Sequence, residues 1–112
     1  MPAALAQPLI DHREDIARLC RAHGVERLEV FGSAANGHFN PQRSDFDFIA
    51  TFTPQAQTSI ARHYLGLAEA LETLLGCRVD LLTDQPIRNP HLRKAVDDSR
   101  RDLYVRATAQ AS

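Results

Sequence analysis

The chain has 112 residues, 44% hydrophobic and 24% charged, values that exclude a disordered or collagen-like chain and fit one small domain burying about two thirds of its extended surface. No apolar run nears the ~20 residues of a membrane span, and the opening MPAALAQPLI lacks the basic segment of a signal peptide. A net charge of -1 is not that of a non-specific nucleic-acid binder, so direct nucleic-acid binding is not expected, and the two cysteines, Cys20 and Cys77, suit reduced thiols in a cytoplasmic protein.

After a loose start, residues 8–23 read as a helix with Leu9, Ile16, Leu19 and Cys20 on one face, Pro8 in its first turn and Gly24 past its end. Residues 27–31 (RLEVF) form a short strand, followed at once by Gly32 and Ser33 and a small-residue turn into a short helix over 33–37. Asn40 and Pro41 mark 38–44 as a loop. The segment 45–52 (DFDFIATF) alternates as a strand, with the aspartates on one side and Phe46, Phe48 and Ala50 on the other. A long helix over 54–75 carries Ile60, Tyr64, Leu67, Leu71, Leu74 and Leu75 as one stripe and ends at Gly76. Residues 77–82 (CRVDLL) make a third strand, and Asn89-Pro90 caps a last helix through Leu92, Ala95, Val96 and Ser99. Residues 102–105 fit either an extension of that helix or an edge strand. The pattern is a single α/β domain over 1–112, with tails at 1–7 and 107–112 expected to fray, and with helices gathered mainly on the sheet face that carries the phenylalanines.

Asp45 and Asp47 leave the same strand face ~6.6 Å apart, where two charges repel by roughly 2.5 kcal/mol at an effective dielectric of ~20. Asp80, between Val79 and Leu81, faces the same open side if the second and third strands are neighbours. Three converging carboxylates call for a cation, and hard oxygen ligands that leave room for water and phosphate suit Mg²⁺. Gly32-Ser33, where a strand enters a helix, offers close backbone approach, free N–H groups and a hydroxyl, which are anion-binding features. The Arg88, Arg93, Lys94, Arg100, Arg101 and Arg106 cluster, interleaved with Asp97, Asp98 and Asp102, reads as a solvated face, with contact to an acidic partner surface or to RNA as the alternative.

Taken together, FGSAANGHFNPQRSDFDF and RVDLL resemble the nucleotidyltransferase superfamily typified by DNA polymerase beta, especially its minimal one-domain prokaryotic branch, called MNT or MntA-like. The resemblance implies an α/β (α+β) fold with a small mixed sheet, a requirement for Mg²⁺ as two ions, and a nucleoside triphosphate substrate, usually ATP. It implies that Gly32 and Ser33 hold the triphosphate and that Asp45 and Asp47 bind the metals shared with it. Asp80 would bind the catalytic metal and help deprotonate the acceptor hydroxyl. Minimal members of this branch are commonly encoded beside a HEPN-domain ribonuclease toxin, and some neutralise it by transferring AMP to a tyrosine. The implied activity is therefore that of an antitoxin with a HEPN partner. The competing readings are a non-catalytic module that occludes its partner and the catalytic subunit of a small-molecule nucleotidyltransferase. Two departures stand out: eleven residues separate Ser33 from Asp45, one more than usual in the branch, and Asn36 stands where relatives often carry a basic residue.

Overall fold

The computed structural model describes residues 5–36, 45–83 and 89–106. In chain order these form α1 (Gln7–Asp11), α2 (Arg13–Ala22), β1 (Val25–Phe31), α3 (Ser33–Asn36), β2 (Phe46–Phe52), a 3-10 turn (Ala56–Ser59), α4 (Ile60–Leu75), β3 (Val79–Thr83), α5 (Pro90–Ser99) and β4 (Arg101–Val105). The sheet order is β3-β2-β1-β4. β1 runs antiparallel to both β2 and β4, whereas β2 and β3 are parallel, so the sheet is mixed as the resemblance implies.

The core lies on the face bearing Phe46 and Phe48. Their rings stack 6.1 Å apart and are fully buried with Leu28, Val30, Leu9, Ile16, Cys20, Leu67 and Leu71. Leu9 and Ile16 belong to one expected helix, which bends at His12 (φ -106°, ψ 19°) into α1 and α2, so that both side chains stay fully buried in the core. The expected fraying of residues 1–7 does not reach 5–7. Ala6 is buried and donates its N–H to the Ala34 carbonyl at 2.9 Å, and Gln7 opens α1. The rest of that expectation, over 1–4 and 107–112, lies outside the described residues, as does the loop over 38–44.

α4 starts at Ile60 rather than at Pro54. The Thr53 N–H donates to the Gly24 carbonyl at 2.8 Å, and Ala56 N–H reaches back to the Thr53 carbonyl at 3.0 Å, which pins a corner ahead of the helix. Gly76, left-handed at φ 68°, closes α4 as expected. Asn89 caps α5 as expected, its side chain accepting from the His91 and Leu92 N–H groups.

Of the two readings left open for 102–105, the structure takes the edge strand: Arg101–Val105 forms β4, pairing with the outer edge of β1. Moreover, α5 crosses the sheet face opposite the other helices, where Val96 packs on Phe31 and Ile49 in a second small core. β2 is consequently buried on both faces at its centre, with Phe48, Ile49 and Ala50 all covered, and only part of the aspartate face stays open.

Candidate active site

Three strand ends assemble the site. β1 stops at Phe31, and Gly32 turns the chain into α3 with φ +75°, a conformation that L-residues with a Cβ adopt only at a cost. Space imposes the same choice. A Cβ at Gly32 would stand 2.7 Å from Asp47 Oδ2, so any other residue would also make that carboxylate turn aside. The Gly32 carbonyl accepts the Ala35 N–H at 3.0 Å. The Gly32 N–H is already engaged, donating to Ser99 Oγ at 2.9 Å. Ser33, half-buried, opens α3. At four residues α3 is a single turn, too short to gather much macrodipole, so hydrogen-bond donors rather than a long-helix field are what this corner offers an anion.

Asp47 lies in register with Phe31 of β1 on one side and with Asp80 of β3 on the other. In-register neighbours send side chains to the same face, with strands ~4.8 Å apart. The expected juxtaposition of Asp47 and Asp80 therefore follows from the parallel pairing of β2 with β3. Asp45 is half-buried in the residue just before β2. Burial, the Asp80 charge and a hydrogen bond with Asp80, and then the Asp45 charge push the Asp47 carboxyl up to about 6. Asp80 is exposed. Asp47 thus feels both other carboxylates, Asp80 at hydrogen-bonding reach and Asp45 through space.

A hollow of about 580 Å³ opens at this point, lined by Phe31, Gly32, Asp47, Asp80, Leu82 and Leu92 among others. A larger hollow, about 760 Å³, lies at the opposite end of β1 beside Arg21, Gly24 and Arg106 and contains none of these carboxylates. The candidate site is chosen by its convergent charges and not by size. The donors in the smaller hollow are carboxylate oxygens, chemically suited to a hard divalent cation. Among the described residues no group of three or more His, Cys, Asp and Glu side chains is gathered closely enough to hold an ion as it stands. What fits a cation is the chemistry of the donor set and its surplus of negative charge around Asp47.

Sequence reasoning missed two contributors. Ser99, assigned there only to a helical spacing, touches Gly32. Arg100, assigned to a solvated face and indeed exposed, also forks onto Glu29, itself buried in β1, with Nε to Oε2 at 2.9 Å and Nη2 to Oε1 at 2.8 Å. The available signal was Glu29 itself, an acid in the middle of RLEVF that needed a partner.

Comparison with known proteins agrees with this geometry. Residues 13–103 match the family model described as a nucleotidyltransferase domain. Two relatives from Methanocaldococcus jannaschii, both named for protein adenylyltransferase activity, are 36% and 30% identical over 74 residues, covering 66% of this chain and 72% and 71% of theirs. A solved structure described as a minimal nucleotidyltransferase superposes with a TM-score of 0.68 at 33% identity, over 88% of this chain and 95% of that one. A chain from the complex of tri-AMPylated Shewanella oneidensis HEPN toxin with MNT antitoxin shares the fold, with a TM-score of 0.54 at 17% identity over 92% of this chain and 77% of that one. With the strand-borne carboxylates, the glycine turn and the mixed sheet in place, the chain belongs to the nucleotidyltransferase domain family, as an MNT-like enzyme.

Proposed function

We propose that this enzyme transfers AMP from ATP to a hydroxyl, that of a tyrosine, on a HEPN-type toxin with which it assembles, and so acts as an antitoxin. The observation that carries the reading is the register of Asp47 with Asp80 beneath the Gly32 turn. It joins a metal-binding donor set to a phosphate-approach corner. The names of the relatives and the toxin–antitoxin complexes that share the fold support the acceptor and partner classes. Among the described residues no helix is long and apolar enough to cross a membrane, and both cysteines are free; we place the enzyme in the cytoplasm.

In this reading Asp45, Asp47 and Asp80 would hold two Mg²⁺ ions, which would supply positive charge to the triphosphate and acidify the acceptor hydroxyl. Gly32 contributes the absence of a side chain, which lets phosphate approach the backbone, and Ser33 contributes its hydroxyl and N–H. The acceptor oxygen bonds to the α-phosphorus, the bond from that phosphorus to the β-phosphate bridging oxygen breaks, and pyrophosphate departs. Asp80, exposed at the rim of the hollow, receives the acceptor proton. Phe31, Leu82 and Leu92 add apolar surface to the lining of the hollow.

The test is incubation with Mg-ATP and a HEPN protein encoded beside this chain, followed by intact-mass measurement. AMP-sized increments on the partner, absent with Asp47→Ala, are expected. Unchanged partner mass with tight binding and retained inhibition would replace transfer by occlusion.

A further inference from the structure

The junction between α5 and β4 grips the β1–α3 connection from behind. Ser99 Oγ accepts the Gly32 N–H at 2.9 Å. The next residue, Arg100, is fixed to the buried Glu29 by its two-pronged contact, and Asp97 stands 3.5 Å from its Nη1. Arg101 Nη1 then lies 3.5 Å from the Ala35 carbonyl of α3. Three consecutive residues thus meet three points, Gly32, Glu29 and Ala35, on and beside the segment that carries Gly32 and Ser33.

We propose that Ser99 is a positioning residue for the nucleotide-binding turn, holding the Gly32 peptide so that the turn faces the phosphates. This rests on the phosphate role given to Gly32 and Ser33. A left-handed glycine has wide conformational freedom, and its N–H is the handle by which the rest of the fold can choose one setting. Ser99 takes that handle, and the Glu29–Arg100 fork fixes where Ser99 stands. A bidentate guanidinium–carboxylate pair defines orientation as well as distance, which a single point contact would not. The Gly32 N–H therefore serves the turn internally, and phosphate contact falls to the Ser33 groups and to the bare Gly32 Cα.

Mg-ATP titration by calorimetry, with initial-rate kinetics of transfer, tests this on the wild type, Ser99→Ala and Ser99→Thr. Loss of one net hydrogen bond predicts Mg-ATP binding weakened ~3- to 10-fold in Ser99→Ala, seen as a rise in KM for ATP. Ser99→Thr keeps a hydroxyl and should restore most of the affinity. A purely structural role would lower the active fraction, and hence kcat, with KM unchanged. Amide exchange at Gly32 should accelerate in Ser99→Ala without nucleotide present. Equal Mg-ATP affinity in the wild type and Ser99→Ala would overturn the assignment and leave the transferase reading standing. Equal losses in Ser99→Ala and Ser99→Thr would overturn it in favour of packing. A wild type that binds no Mg-ATP would overturn the transferase reading, and the role of Ser99 with it.

Discussion

Replacing Asp47 by asparagine preserves the shape of the side chain and removes one charge from a face where Asp80 and Asp45 already repel it. The folded protein moves this carboxyl from 3.8 up to about 6, with burial as the largest cause. A carboxyl with a raised folded pKa binds its proton more readily folded than unfolded. The fold therefore loses stability as pH rises from 3.8 towards 6 and carries the full penalty above that range. A shift of this size corresponds to roughly 3 kcal/mol at face value. Asp47 is only half-buried, and solvent screening reduces this to about 1–2 kcal/mol. Direct repulsion gives a similar size: in-register charges ~5 Å apart interact by roughly 1–3 kcal/mol between the water and near-surface dielectric limits. In thermal melts with chelator at alkaline pH, Asp47→Asn should unfold about 4–8 °C above the wild type. The gap should narrow as pH falls towards about 4, where the wild-type carboxyl is protonated. Adding Mg²⁺ should raise the wild type more than the variant, because a ligand stabilises the form that binds it. AMP transfer should be lost in the variant. A variant that melts at or below the wild type in chelator, or a gap that does not change with pH, would refute the electrostatic account.

Gly32→Ala places a methyl 2.7 Å from Asp47 Oδ2 at a positive φ, so it should cost about 1–2 kcal/mol through backbone strain and depress transfer more than stability; paired melts and rates check this. Arg100→Ala leaves the Glu29 carboxylate buried without its fork and should destabilise by about 3 kcal/mol in urea titration, with Arg100→Lys restoring only part of it. Phe48→Ala empties the centre of the main core, where Phe48 is fully buried, and should cost about 3–5 kcal/mol by the same titration. Cys20 is buried with its thiol pushed up to about 12, so a thiol reagent near neutral pH should label the partly exposed Cys77 and reach Cys20 only on unfolding.

The legible parts of this protein were those with local causes. Alternation in DFDFIATF separates Phe46 and Phe48 from Asp45 and Asp47 because a strand has a two-residue period, whatever it pairs with. Gly76 ends α4 and Asn89 starts α5 through backbone chemistry confined to a few neighbouring residues. The same local rules misplaced the start of α4, since the corner at Thr53 depends on a hydrogen bond to Gly24, far back in the chain. They also left Glu29 without its partner, because the position of the exposed Arg100 four residues after Val96 says nothing of Glu29 across the sheet.

The candidate site residues could thus be picked out by residue type and period, since carboxylates at strand spacing and a Gly-Ser turn express their tendencies without help. How those residues meet is a matter of long-range pairing. Asp80 reaches Asp47 only because β3 docks parallel to β2 in one register, and a slip of one residue would send Asp80 to the opposite face. Ser99 reaches Gly32 across 67 positions, and Arg100 reaches Glu29 across 71. Those contacts exist because the free edge of β1 accepts β4, and because Val96 covers the apolar patch of Phe31 and Ile49. Unpaired backbone groups at a sheet edge and an uncovered apolar face come into being only once the sheet has formed, so their satisfaction belongs to the tertiary structure.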